Sequence, residues 1–222
     1  MKLFIDTADV GQIREALSWG IIDGVTTNPT HVMKTGRKPM DVYKEILEFV
    51  DGPVSLETIS LEAPQIVQEA RELARLGKNV VVKVPIIREG LKAVKILAAE
   101  GIRTNVTVTF SALQALLAAK CGATYISPFV GRLDAIGHIG MDLVRQIRTI
   151  YMNYGFKTQI ITAAVRHPLH VLEAALAGSD VCTMFYDTLK QLYDHPLTDI
   201  GLDMFLKDWA KATGATSARS AS

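Results

Sequence analysis

Val80-Val81-Val82-Lys83-Val84-Pro85 decides how this chain is read. Apart from the lysine, the run has the composition of a strand buried on both faces, which is how strands of a parallel sheet look. A buried ammonium is costly unless it is paired or loses its proton. Two readings follow. Lys83 is either an amine held for attack on a carbonyl, or a lysine at a strand end whose head reaches water.

Working outward, short β-branched runs alternate with amphipathic segments along the whole chain. Eight strands are predicted, at residues 3–6, 24–28, 54–58, 80–84, 105–109, 124–128, 158–163 and 180–184. Between them, apolar residues recur at helical spacing, as in Val10, Ile13 and Leu17, in Ile66, Ala70 and Leu73, or in Leu143, Ile147 and Ile150. Gly20, Gly52, Gly77, Gly101, Gly122, Gly155 and Gly178 fall where these segments stop, as expected of glycine in the left-handed turn after a helix. A last helix is predicted over 198–212, with Leu202, Phe205, Leu206 and Trp209 on one side.

Eight βα units in one domain predict an α/β fold, a (β/α)8 TIM barrel at residues 1–212, with the last helix as an addition. An open doubly wound sheet is the alternative. Against it, no G-x-G-x-x-G follows the first strand and no G-x-x-x-x-G-K-[ST] occurs. With 222 residues the chain is shorter than the roughly 250 typical of such barrels, so its loops must be short. The small, polar stretch 213–222 reads as a disordered tail or a leftover of expression.

Composition narrows the class of function. A net charge of +1 offers no electrostatic footprint for nucleic acid. No apolar run approaches the ~18 residues of a membrane span. Cys121 and Cys182 are too few for a metal framework or a secreted disulfide scaffold, and the first residues meet Asp6 too early for a signal peptide. A cytoplasmic protein is expected.

In barrels of this kind the active site forms at the C-terminal ends of the strands. The polar residues there are Asp6, Asn28, Glu57, Lys83, Asn105, Thr107, Ser127, Arg132 and Arg166. Singly each has an ordinary account: Asn28 before Pro29 sets a turn, Glu57 is a structural partner of Lys83, and Arg132 pairs with Asp134 at the surface. Together they put an amine, two carboxylates and several hydroxyl and amide groups at one mouth of the barrel. That set suits imine chemistry. The lysine makes a ketone an electron sink, a carboxylate takes a hydroxyl proton as a C–C bond breaks, and an acid protonates the carbinolamine oxygen. Two guanidinium forks suit a phosphate monoester. His31, His138, His167, His170 and His195 read as surface residues or as neighbours of site residues rather than metal ligands. Tyr186, Tyr193 and Trp209 read as core or interface.

Five motifs carry a family resemblance: Phe4-Ile5-Asp6-Thr7-Ala8, Gly24-Val25-Thr26-Thr27-Asn28-Pro29, Val82-Lys83-Val84-Pro85, Thr104-Asn105-Val106-Thr107, and Ser127-Pro128-Phe129-Val130-Gly131-Arg132-Leu133-Asp134. Their sequence and spacing resemble the small transaldolases, short-chain relatives of transaldolase that include fructose-6-phosphate aldolase. The resemblance runs to about Lys211. It implies a metal-free and cofactor-free barrel enzyme with its Schiff-base lysine on strand 4, acting on sugar phosphates, and assembled as a homo-oligomer, a pentamer or a decamer. By position, Lys83 resembles the Schiff-base lysine and Asp6 the acid/base at the cleaved bond. Glu57 and Thr107 resemble the pair that holds the catalytic water. Asn28, Asn105 and Ser127 resemble the residues that bind substrate hydroxyls, and Arg132 and Arg166 the phosphate ligands. Ala164 departs from the serine many relatives have, so one phosphate hydrogen bond is lost or passes to a backbone N–H or a water.

Two positions separate the activities within that resemblance. Relatives acting as fructose-6-phosphate aldolase carry Gln at the position of Glu57 and Tyr at that of Phe129. A phenylalanine has no proton to give the dihydroxyacetone enamine. The resemblance therefore implies a transaldolase of the pentose phosphate pathway; release of free dihydroxyacetone, or sugar-phosphate binding without catalysis, is the alternative.

Overall fold

The computed structural model describes residues 1–214; the predicted tail falls almost wholly outside them. Eight strands, β1 (Lys2–Asp6), β2 (Gly24–Thr26), β3 (Val54–Glu57), β4 (Val80–Pro85), β5 (Thr104–Thr109), β6 (Tyr125–Pro128), β7 (Gln159–Val165) and β8 (Val181–Met184), close into a barrel in chain order, every neighbour parallel. This is the (β/α)8 barrel, and the closure of β8 on β1 excludes the open sheet.

The helices are α1 (Val10–Ser18), α2 (Pro29–Lys34), α3 (Pro39–Phe49), α4 (Ala63–Ala74), α5 (Arg88–Ala99), α6 (Ala112–Lys120), α7 (Val130–Asp134), α8 (Gly140–Tyr154), α9 (Pro168–Leu176), α10 (Tyr186–Gln191) and α11 (Pro196–Thr213). Three short ones, α2, α7 and α10, were not expected from periodicity, because five or six residues are too few to show it. All three follow strands, at the C-terminal end of the barrel. α2 begins with Asn28 as its N-cap and Pro29 at the first helical position, a start signal rather than the simple turn the dipeptide also permits. β2 accordingly ends at Thr26, two residues before the predicted end.

Strand parity sorts the barrel. Ile5, Val82, Val84, Val106, Ile126 and Ile160 face outward into the main core, packed under the helices. Phe4, Val81, Tyr125, Ile161 and Val181 form a separate cluster that plugs the interior at its N-terminal end. Above that plug the inward positions turn polar: Thr26, Ser55, Lys83, Asn105, Ser127 and Thr183 are all buried. Asp9 caps α1 by accepting from Gln12 N at 3.0 Å, which leaves Asp6 free of that duty.

Two glycines need separate reasons. Gly155 ends α8 in the left-handed conformation at φ 62°, as expected. Gly52 has no positive φ; a Cβ there would collide with the carbonyl of Asp23. Trp209 and Tyr193 are exposed on this chain, so neither belongs to its core. No helix among the described residues is long and apolar enough to cross a membrane.

Candidate active site

Lys83 is 5% exposed, and its ammonium lies inside the barrel. The parallel register sets Glu57 beside it on β3 and Asn105 beside it on β5. Nζ is 2.8 Å from Glu57 Oε2 and donates to the carbonyl of Thr27 at 2.9 Å. Both readings of Glu57 therefore meet in one geometry: it balances the buried charge, and it stands where it can take the proton. Beside it opens a cavity walled by Val32, Met33, Tyr43 and Leu73, with Arg37, Glu69 and Glu72 also on its lining.

Asp6 stands at the end of β1. Thr26 Oγ1 donates to its Oδ1 at 2.7 Å and lies 2.6 Å from Thr183 Oγ1. A threonine has one hydroxyl proton, so Thr183 must be the donor in the second bond. Asp6 is thus held by a chain running from β8 through β2. His31, on the first turn of α2, puts Nδ1 3.6 Å from the same oxygen. Burial holds this imidazole below its ordinary range, against the pull of Asp6 and with the push of Lys83 and Lys34. Near pH 7 it is a neutral neighbour.

On the opposite wall, Ser127 Oγ donates to Asn105 Oδ1 at 2.7 Å, and Asn105 Nδ2 donates to Ser55 Oγ at 3.3 Å. Asn28 spends its Oδ1 on the N–H of His31 at 2.9 Å, and its Nδ2 lies 3.2 Å from the ring nitrogens of the same histidine, so that one Nδ2 hydrogen is left for a ligand. Thr107 Oγ1 is buried and has no hydrogen-bond partner among the described residues. A hydroxyl left in that state marks a place for an outside partner such as water.

Arg132 and Arg166 are exposed at the rim. Among the described residues neither forms an ion pair; Asp134, the expected partner of Arg132, bonds His170 instead. The guanidinium of Arg132 lies over the Phe129 ring at 5.2 Å and that of Arg166 over the Phe185 ring at 5.4 Å. Gly131 makes this approach possible, since a Cβ there would strike the carbonyl of Ala164 and come within 2.7 Å of Arg166 Cγ.

The wall around Phe129 is strained. Val108 and Ala164 adopt φ of 61° and 57°, and the register slips beside each, between Val106 and Thr109 and between Thr162 and Val165. Such conformations cost about 1–2 kcal/mol per non-glycine residue. Between the two bulged strands, Phe129 N donates to Thr109 O at 3.1 Å and Phe129 bridges Ala163. Its ring meets Phe110 edge-on at 5.9 Å.

One cavity gathers Asp6, Asn28, Lys83, Asn105, Thr107, Ser127, Phe129, Arg132 and Arg166. Glu57 reaches it through Lys83. Sequence reasoning missed Thr26, Thr183 and Phe185, which also line it, and His31 as a neighbour of Asp6. The Asn28-Pro29 helix start was the available signal for His31; the two threonines gave none, being ordinary strand residues.

This arrangement is a candidate site centred on a buried, carboxylate-paired lysine at the C-terminal mouth of a (β/α)8 barrel. Comparison then supplies the family. The profile described as Transaldolase/Fructose-6-phosphate aldolase matches residues 3–217, and the chain belongs to that family. Among curated relatives, a probable transaldolase of Aquifex aeolicus is 63% identical over 211 residues, covering 95% of this chain and 97% of its own. Those of Hydrogenobaculum sp. and Dictyoglomus turgidum are 62% and 58% identical, with 95% of this chain and 97% and 99% of theirs covered.

The chain of hydroxyls onto Asp6 has a measurable worth. Thr26→Val keeps the shape but leaves Asp6 and Thr183 without their shared partner, and should lower unfolding free energy by about 1–3 kcal/mol. Thr26→Ser should restore most of it. Urea denaturation followed by circular dichroism checks both.

Proposed function

We propose that this chain is a transaldolase. It moves a dihydroxyacetone unit from fructose 6-phosphate or sedoheptulose 7-phosphate to erythrose 4-phosphate or glyceraldehyde 3-phosphate, as the pentose phosphate pathway requires. The observation that carries the reading is the buried Lys83 paired at 2.8 Å with Glu57, across the cavity from an Asp6 held in place by Thr26.

The steps follow from that geometry. Glu57 takes a proton from the ammonium, and the freed amine adds to the C2 ketone. The proton returns to the carbinolamine oxygen, which leaves as water; the unpartnered Thr107 hydroxyl supports a water at this point. Asp6 then removes the C4 hydroxyl proton as the C3–C4 bond breaks. The bonding electrons pass into the iminium and give an enamine on Lys83. The aldose product departs and an acceptor aldehyde enters. The enamine carbon attacks it, Asp6 returns the proton, and hydrolysis frees the new ketose.

Asn28 Nδ2 and the remaining capacity of Asn105 and Ser127 meet the sugar hydroxyls. Arg132 and Arg166 take the phosphate, their forks unengaged by any carboxylate among the described residues. Phe129 offers the enamine no proton, which keeps it waiting for an acceptor. The free thiols of Cys121 and Cys182 fit a reducing cytoplasm.

The family resemblance implies a homo-oligomer, a pentamer or decamer, and the exposure of the last helix supports an assembly of some kind. No residue of α11 is buried, and Phe205, Trp209 and Leu197 are 72%, 68% and 69% exposed. A second copy of the chain is the occupant that would cover this surface.

Borohydride treatment with fructose 6-phosphate should fix a mass adduct on Lys83. Lys83→Arg, which stays protonated, should give no adduct and no turnover while keeping the fold. An adduct on Lys78 or Lys92 instead would sink the assignment. Phe129→Tyr should raise release of free dihydroxyacetone from fructose 6-phosphate in the absence of an acceptor. No rise, in a folded variant that still forms the adduct, would remove Phe129 as the gate between transfer and cleavage. Light scattering should give a mass near five or ten times the 24.3 kDa chain; a monomer would refute the oligomer.

A further inference from the structure

One imidazole joins the two elements that carry the rim arginines. His170, on the first turn of α9, has a side chain only 6% exposed. Its Nε2 lies 2.7 Å from Asp134 Oδ2, and its Nδ1 accepts the backbone N–H of Arg166 at 3.3 Å. The two contacts fix the tautomer. Nδ1 must be bare to accept, so the hydrogen sits on Nε2 and points at the carboxylate. The other oxygen of Asp134 accepts from Gly140 N at 2.7 Å, which ties α7 to the start of α8. Asp134 stands two residues after Arg132. The chain of bonds therefore runs from the helix bearing Arg132, through His170, to the main chain of Arg166.

We infer that His170 is a positioning residue for phosphate recognition: in its Nε2–H form it fixes Arg132 and Arg166 relative to one another, and a proton on Nδ1 undoes that placement. This rests on reading the two arginines as the phosphate ligands. With Nδ1 protonated, the N–H of Arg166 faces another N–H and loses its acceptor. The spacing of the two guanidinium forks, set by α7 packing through Gly131 onto Arg166, then relaxes.

The groups facing the ring come from every side. Asp134 approaches from α7. The His167 ring lies 3.9 Å away, centre to centre, from the residue that caps α9. Glu173 lies one turn along α9, and the Arg166 main chain comes from the end of β7. Burial lowers the His170 pKa below the ordinary imidazole value and His167 pushes the same way, while Asp134 and Glu173 oppose them. The form that holds the arginines is thus the prevailing one near pH 7, and it is lost as pH falls below the ordinary histidine value of about 6.5.

The test compares steady-state kinetics with fructose 6-phosphate and with unphosphorylated fructose, in the wild type, His170→Leu, His170→Gln and Arg166→Ala, between about pH 5.5 and 8. His170→Leu should raise KM for fructose 6-phosphate about tenfold, the equivalent of one lost hydrogen bond to a well-placed group, with kcat and the turnover of fructose little changed. His170→Gln should recover most of that loss, because its amide can accept from Arg166 and donate to Asp134. Below about pH 6.5 the wild-type KM for fructose 6-phosphate should rise relative to that of His170→Gln. Both enzymes share the titration of the substrate phosphate, so the difference isolates the histidine. Equal losses on both substrates in His170→Leu, or no loss on either, would overturn the inference. If His170→Leu does not fold, the comparison of wild type with His170→Gln decides, and coincident pH profiles overturn it. Arg166→Ala separates the two levels. If it too leaves the preference for the phosphorylated sugar intact, the phosphate reading itself fails. If it abolishes that preference while His170→Leu does not, only the role of His170 falls.

Discussion

A charged amine inside a barrel has to be balanced, and the balance of Lys83 sets the terms for everything around it. Glu57, at the end of β3, supplies the opposite charge, and the carbonyl of Thr27, just past the end of β2, a second acceptor. A buried pair of this kind is not a source of stability in itself, because desolvating two ions costs as much as their attraction returns. Removing one partner leaves the other stranded, at a cost of about 3–5 kcal/mol. The pair sets a carboxylate and an amine side by side in a place from which bulk water is largely excluded.

That placement depends on two layers. Below the lysine, Phe4, Val81, Tyr125, Ile161 and Val181 close the barrel with apolar side chains. Above them, most inward positions carry a hydroxyl, an amide or a charge, and the main ones are bonded to one another. The polar belt divides in two. One half, Thr183 to Thr26 to Asp6, orients the carboxylate of Asp6. The other, Ser127 to Asn105 to Ser55, lines the opposite wall. Thr107 belongs to neither half; its buried hydroxyl, like those of Thr104 and Thr109 on the same strand, has no hydrogen-bond partner among the described residues.

At the rim the fold accepts strain to aim side chains. Val108 is β-branched and holds a left-handed conformation that such residues avoid, and Ala164 does the same on β7. The two irregular strands, β5 and β7, flank β6 and set Phe129 between them. The same bulge on β7 leads to Arg166, whose backbone is then held by His170. The missing serine at Ala164 thus lies at a residue whose backbone, more than its side chain, builds the site.

The sequence by itself determined the eight βα units, the oddity of a lysine within the apolar run 80–85, and the set of polar residues at strand ends. These are local properties. Side-chain period, capping and turn chemistry are written residue by residue, so Asp6, Glu57, Lys83 and Arg132 could be picked out without coordinates. Only the tertiary structure decided who faces whom. Parallel register is set by closure of the whole barrel, since neighbouring strands meet across some 20–30 residues of helix and loop. Nothing in Thr26 or Thr183 announces that their hydroxyls meet, 157 positions apart, on the carboxylate of Asp6. Asp134 looked like the partner of Arg132 because it is near in the chain, yet the turn of α7 carries it to His170, and that geometry leaves the arginine free for a ligand.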